Sequence, residues 1–211
     1  MKRALAVVLA LASLSGSWAL AAQEKKEEPK KAEAKAPAGM TPEMKAMMEL
    51  YEKAAQPGPN HKVLAEMAGE WDAAVKTWMG PGEPEISTGR SQNKMILGGR
   101  YLLEEYEGVA MGRPFRGMGI TGYDNVAKAF TGIWIDDMST GIMTSEGKLD
   151  EKGKAMESVY TFNDPSTGGP QKGRMALKII SPDKHVMEMF GNGPDGKEML
   201  MMEITYTRKK K

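Results

Sequence analysis

Three residues near the C-terminus have the side chains and the spacing to coordinate one soft metal ion: His185, Met187 and Met189. They alternate along one predicted strand, so their side chains share one face of the sheet. Met199 and Met201 alternate in the same way on the next predicted strand. Thioether and imidazole ligands suit Cu(I), and the chain contains 19 methionines. Because methionine is also an adaptable filler of apolar cores, we expect no cofactor and keep copper as an alternative hypothesis.

Acid–base and nucleophilic chemistry has few candidates in this chain. There are two histidines and no cysteine, which excludes thiol nucleophiles and thiolate metal sites. The sequence has neither a Gly-x-Ser-x-Gly motif nor the complete phosphate-binding loop motif Gly-x-x-x-x-Gly-Lys-Ser/Thr. Glu105 and Glu107 share one face of a predicted strand. An enzyme that uses Glu105, Asp136 or Tyr123 in a cavity is therefore a further alternative, although we expect a protein that is not catalytic.

The elements that would position these residues are short strands. Turn residues such as Pro81-Gly82 and Asp124-Asn125 recur every eight to twelve positions after residue 70, which is typical of an all-β fold. Antiparallel strands best avoid exposed edges by closing on themselves. We therefore predict an antiparallel, closed or nearly closed barrel of about ten strands, at residues 70–79, 86–96, 100–108, 114–123, 128–136, 141–149, 155–163, 173–181, 184–192 and 198–207.

Three different segments precede the barrel. Residues 1–22 combine Lys2 and Arg3 with an apolar stretch and small residues at the cleavage site, which predicts a signal peptide and a bacterial periplasmic or secreted location. No membrane span is expected after signal cleavage. Residues 23–39 are rich in Lys, Glu, Pro and Ala and are predicted to be a disordered linker.

A short amphipathic helix is predicted within residues 40–57, and the barrel domain within 58–209. Thr41 can cap this helix and Pro42 suits its first position. Its apolar stripe repeats at helical spacing, and we expect this stripe to dock on the barrel as a plug or a side cover. The members of the stripe are Met44, Met47, Met48 and Tyr51.

The charge balance excludes one class of partner. The formal net charge is +1, and loss of Lys2 and Arg3 with the signal changes it to −1. A nearly neutral chain lacks the electrostatic footprint of a nucleic-acid-binding protein. The sequence carries no signal for the oligomeric state.

Two motifs at opposite ends of the barrel segment resemble those of lipocalin-like (calycin) barrels. Gly69-Glu70-Trp71 follows a short predicted helix and opens the first strand, and Thr205-Tyr206-Thr207-Arg208 ends the last strand. The resemblance implies that Gly69, Trp71 and Arg208 close the barrel, with the arginine lying over the indole. Some barrels of this class bind haem through a histidine, and His185 would be the candidate here.

A larger part of the chain, residues 58–209, resembles the bacterial domain of unknown function 1579. That family is uncharacterised, so the resemblance implies a fold and little about function. The matching motifs are His61-Lys62-Val63-Leu64, Gly69-Glu70-Trp71, Gly98-Gly99-Arg100-Tyr101-Leu102, Pro114-Phe115-Arg116-Gly117-Met118-Gly119, Gly122-Tyr123-Asp124, Trp134-Ile135-Asp136 and Thr205-Tyr206-Thr207-Arg208.

A small barrel has room inside for side chains or for one small ligand. The sequence therefore predicts an exported, non-catalytic protein that binds a small, largely apolar molecule, an unknown ligand, in the barrel cavity. A structural barrel with protein partners is a further alternative. Alternation along the strands predicts these residues for the cavity: Trp71, Glu105, Phe115, Tyr123, Phe130, Trp134, Asp136, Ser158 and Tyr160.

Overall fold

Ten antiparallel strands form a closed barrel in the computed structural model, which describes residues 39–193 and 195–210. The predicted signal and all but the last residue of the predicted linker lie outside the described residues. Each strand pairs with its neighbours in sequence, and β1 pairs with β10, so that Trp71 lies opposite Arg208. The predicted all-β barrel is thereby confirmed. Its elements are α1 (Pro42–Ala54), α2 (Pro59–Glu66), β1 (Gly69–Thr77), β2 (Glu85–Ile96), β3 (Tyr101–Ala110), β4 (Arg113–Asp124), β5 (Ala129–Asp136), β6 (Met143–Leu149), β7 (Ala155–Asp164), β8 (Gly169–Ser181), β9 (Lys184–Asn192) and β10 (Glu198–Arg208).

The start of β8 is the largest departure from the predicted boundaries. The strand begins at Gly169, four residues before the predicted position, and Gly169 already pairs with Asp164. The turn before it is short because the Asp164 carboxylate accepts a hydrogen bond from the Ser166 backbone N–H at 2.7 Å. Gly168 has a φ of +70°, a conformation that glycine adopts without strain.

Alternating side chains separate the inside of the barrel from its surface. In β1 the buried residues Trp71, Ala73 and Val75 alternate with exposed ones, as expected for a strand with one face inside. The interior contains two apolar clusters. One is built on β1, β3 and β10 and consists of Trp71, Ala73, Val75, Tyr106, Ile204 and Tyr206. The other joins α2 to β3 and β5 through Leu64, Leu102 and Phe130.

The helix that covers the barrel is α2, and this corrects the prediction for the first helix. No residue of α1 is buried, and its stripe residues Met47 and Tyr51 are 53% and 73% exposed. In α2, by contrast, His61 and Leu64 are buried. The connection between the helices is held by Asn125, whose side-chain amide donates to the carbonyls of Ala54 and Gln56, each at 2.8 Å. Within the described residues, neither helix is long and apolar enough to cross a membrane.

Candidate functional site

One end of the barrel is sealed by hydrogen bonds to the end of α2. Arg208 donates to the carbonyls of Glu66 and Ala68, each at 2.7 Å, while its guanidinium lies 4.1 Å from the centre of the Trp71 ring. The Trp71 indole N–H donates to the Met67 carbonyl at 3.0 Å. Carbonyls at a helix C-terminus lack partners within the helix, so these contacts satisfy them and attach α2 to the barrel. Gly69, predicted with Trp71 and Arg208 to close the barrel, has a φ of +129° and lies against the Arg208 guanidinium.

Two of the predicted cavity residues, Tyr123 and Phe130, belong to this sealed end. Their rings pack edge to face with centroids 5.0 Å apart, and Tyr123 also meets the buried His61 ring of α2 at 5.9 Å. The Gly58 backbone N–H donates to His61 Nδ1 at 2.9 Å. Burial and the charge of Arg100 lower the pKa of His61, so its ring is neutral at neutral pH. These residues form the floor of the barrel.

Above the floor, large aromatic side chains lie flat against the barrel wall because glycines make room for them. A Cβ at Gly117 would overlap the Trp134 indole, and one at Gly173 would overlap the Tyr160 ring. Tyr160 also donates its hydroxyl to the Phe190 carbonyl at 3.0 Å, which fixes its ring against β8 and β9. The glycines on the neighbouring strands thus give these two rings their space against the wall.

Inward-facing residues differ in how far they are buried. Trp71 at the floor is only 2% exposed, and Val75, Tyr106 and Tyr160 are also buried. Several other inward residues further along the strands keep part of their surface accessible. Solvent therefore reaches part of the interior above the floor. We call this space the lumen. Its partly exposed lining includes Phe115, Thr121, Trp134, Ser145, Met175 and Met189.

The remaining predicted cavity residues differ in their positions. Phe115 and Trp134 stack with centroids 6.4 Å apart and an angle of 20°. Asp136 lies near the open end, where it accepts a hydrogen bond from the Trp134 indole N–H at 3.0 Å. Ser158 is 5% exposed and packs beside Gly147 on β6. Together with Tyr160, these residues place aromatic, small and acidic groups along β4 to β7.

Glu105 is on the outside of the barrel, which corrects its prediction as a cavity residue. Its carboxylate pairs with Lys94 at 2.9 Å, and its side chain is 42% exposed. The residue that faces inward is Glu104, because β3 turns Leu102 and Tyr106 into the core and Glu104 lies between them. Glu107, predicted on the same face as Glu105, is also outside, with Arg116 at 3.6 Å.

Glu104 is part of a polar cluster that includes Ser91, Asn93 and Tyr206. The Tyr206 hydroxyl donates to Glu104 Oε1 at 3.3 Å. Asn93 lies opposite Glu104 on β2, and Ser91 is two residues along the same face. Ser91 and Asn93 are 2% and 7% exposed. Within the described part of the chain, Ser91 Oγ and Asn93 Oδ1 are buried without a hydrogen bond of good geometry.

Burial controls the protonation of this polar cluster. It raises the pKa of Glu104, while the nearby hydroxyls of Tyr206 and Ser91 oppose that effect. The Ser91 hydroxyl is thus close enough to influence the carboxyl group even though it makes no well-formed hydrogen bond to it. Burial, followed by the charge of Glu104, raises the pKa of Tyr206 well above its usual range. Both groups therefore resist ionisation.

His185, Met187 and Met189 lie on the inner face of β9, where they pair with Ile179, Leu177 and Met175. His185 belongs to the floor: its ring stacks on Tyr206 with centroids 4.6 Å apart and meets Trp71 edge to face at 4.4 Å. Burial and the charge of Arg208 lower the pKa of His185 to about 4. No three His, Asp or Glu side chains form a metal-binding group among the described residues. Copper binding through His185 and the two methionines stays a prediction.

Sequence reasoning missed the polar cluster, although a signal for it exists. Arg90, Gln92 and Lys94 alternate with Ser91 and Asn93 on β2. Long charged side chains rarely enter a core unless they are paired, so this alternation places Ser91 and Asn93 inside. Glu104 then follows from its pairing with Asn93.

The outside of the barrel also carries concave surfaces. A groove of about 670 Å³ runs over β1, β2, β3 and β10, and its lining includes the small residues Ala74, Thr88 and Thr205 beside the cross-strand pair of Arg90 and Glu107. Small apolar residues and polar or charged ones both line it. The lumen differs from it because the lumen is lined by aromatic rings and methionines.

A closed ten-stranded antiparallel barrel with a covered floor is a lipocalin-like fold. Residues 56–208 match the family model described as "Protein of unknown function (DUF1579)", and the chain belongs to this family. No curated protein matches the chain.

The solved structures that match the chain include two that share its fold over about three quarters of its length. One is Rv2717c from M. tuberculosis, with 12% identity and a TM-score of 0.55, covering 74% of this chain and 100% of that one. The other is the S-type phycobiliprotein lyase CPES from Guillardia theta, with 10% identity and a TM-score of 0.51, covering 76% of this chain and 97% of that one. At these identities the similarity establishes the fold alone.

Proposed function

We propose that this protein is exported and binds a small, largely apolar molecule in the lumen, without catalysis. The observation that carries the proposal is the difference in side-chain exposure between the floor of the barrel and the inward residues above it. Trp71 at the floor is 2% exposed, whereas inward residues above it, such as Trp134 and Met189, remain partly accessible. A ligand that fills this space gains free energy by removing aromatic and methionine surface from water.

The composition of the lumen favours a ligand with an apolar body. Phe115 and Trp134 form one wall on β4 and β5, and methionines on β8 and β9 form another. Methionine side chains adapt to irregular apolar shapes. Similarity of the fold to a phycobiliprotein lyase is consistent with a role in binding a small molecule.

Export is proposed from residues 1–22, whose positive start, apolar stretch and small residues at the cleavage site are typical of a signal peptide. Removal of this segment would leave a protein that begins at Gln23. The bacterial periplasm, or the medium, is then the compartment in which the ligand is met.

Native mass spectrometry on protein purified from its own cells without denaturation tests ligand binding and export together. We expect a polypeptide mass that begins at Gln23 and an additional organic mass that is lost on denaturation. A polypeptide that retains residues 1–22 would contradict export. A mass that is free of any organic adduct under conditions that preserve a known lipocalin complex would contradict the binding role. Copper content, measured on the same sample, tests the alternative that His185, Met187 and Met189 bind copper.

A further inference from the structure

The polar cluster at the base of the lumen gives the proposed ligand a chemical class. Glu104 is an inward-facing carboxyl group that keeps part of its surface accessible. Among the described residues, no lysine or arginine forms an ion pair with it, whereas Glu105 and Glu107 on the outer face each have one. A buried carboxylate without a cation is costly unless a partner is supplied.

The atoms around Glu104 include two buried oxygens that accept no hydrogen bond from the described residues. Asn93 Nδ2 is already used, because it donates to the Met67 carbonyl at 3.3 Å, which leaves Oδ1 as an acceptor without a partner. Ser91 Oγ also accepts no hydrogen bond from the described part of the chain, while its hydroxyl lies close enough to Glu104 to act on the carboxyl group. Buried polar atoms without hydrogen bonds are uncommon in native proteins and call for an explanation. Two such atoms beside an unpaired carboxyl group indicate a site that a donor from outside the chain completes.

The position of this cluster fits one end of an elongated ligand. Tyr206 on β10 meets Glu104 on β3 across the two intervening strands, β1 and β2. Along the neighbouring strands, Glu104 pairs with Gly119, which in turn pairs with Trp134. The carboxyl group is therefore separated from the aromatic wall only by a residue without a side chain.

We propose that the lumen binds amphipathic amines, with the ammonium group at Glu104 and the apolar body along the Trp134 and methionine walls. This inference rests on the proposed function and specifies its ligand. A primary ammonium offers three N–H donors and a positive charge. Its positive charge favours the ionised form of Glu104, so it donates to that carboxylate and turns its other N–H bonds toward Ser91 Oγ and Asn93 Oδ1. A carboxylate ligand would instead be repelled by the ionised form of Glu104 and would leave Asn93 Oδ1 without a donor.

Isothermal titration of the purified protein at neutral pH with 4-phenylbutylamine, 4-phenylbutanol and 4-phenylbutyrate tests the inference. The three compounds share an apolar body and differ in the polar end. We expect the amine to bind at least ten times more tightly than the alcohol and the acid. Glu104→Gln should abolish this preference, because the amide keeps the shape and can accept from Tyr206 but has no charge. Glu105→Gln, a change of the same kind on the outer face, should retain it.

The outcomes separate the two proposals. Equal binding of all three compounds, or a preference for the amine that survives Glu104→Gln, overturns the amine site and leaves the binding role of the lumen intact. Tighter binding of the alcohol or the acid than of the amine also overturns it. If none of the three compounds binds, the binding role and the amine site both fail.

Discussion

His185 shows how a single buried residue connects pH to stability. Its ring lies between Trp71 and Tyr206, and its folded-state pKa is about 4, below the ordinary value of 6.5. The unfolded chain therefore binds a proton between pH 6.5 and 4 while the folded protein does not. Stability from this group is fully present above pH 6.5 and is lost as the pH falls through 4.

Replacement of His185 by phenylalanine tests this dependence of stability on pH. Wild-type protein should lose about 3 kcal/mol more unfolding free energy between pH 7 and pH 4 than His185→Phe, whose ring fills the same space without titrating. Urea unfolding at a series of pH values measures the difference. Glu104 has a raised pKa, so its contribution to the unfolding free energy increases as the pH falls. This contribution is the same in both proteins and cancels in the comparison. Parallel pH profiles for the two proteins would contradict a lowered His185 pKa.

At the scale of elements, α2 depends on Arg208. The guanidinium donates to the Glu66, Ala68 and Pro182 carbonyls and lies over Trp71, so one side chain joins the helix, the floor and the turn before β9. Lysine retains the charge but cannot make these hydrogen bonds together. Arg208→Lys should lower the unfolding free energy by about 2–3 kcal/mol, as measured by denaturant titration.

A surface arginine provides the control for this prediction. Arg116 has a 76% exposed side chain and a single ion pair at 3.6 Å, and exposed pairs contribute little. Arg116→Lys should therefore leave the unfolding free energy within about 0.5 kcal/mol of the wild type. An equal loss in the two variants would show that Arg208 has no special role in fixing α2.

A strand can be assigned correctly from the sequence when its two faces differ clearly in polarity. β1 and β5 were assigned correctly because Trp71, Phe130 and Trp134 mark one face. β3 was not, because leucine and glutamate occur on both of its faces, and only the pairing with β2 decides which glutamate is inside. Both helices are amphipathic, and the choice of α2 as the cover depends on tertiary hydrogen bonds from β1, β2 and β10 that local periodicity does not encode.

At the scale of the whole molecule, closure of the barrel and the placement of its aromatic rings have separate origins. Closure comes from the pairing of β1 with β10, which leaves no strand edge within the barrel. Glycines such as Gly117 and Gly173 let Trp134 and Tyr160 lie along the wall. The barrel is thus closed, while several inward residues above the floor remain partly accessible to solvent.

Binding of Nile red, a neutral apolar dye that fluoresces in apolar surroundings, tests the central claim of a ligand-binding lumen most directly. Thr121 faces the lumen, whereas Met118 on the same strand faces outward and is 38% exposed. The wild type and Met118→Phe should bind the dye with similar affinity, and Thr121→Phe should bind it at least ten times more weakly because the added ring occupies the lumen. Failure of the wild type to bind, or unchanged binding by a folded Thr121→Phe variant, would contradict the claim.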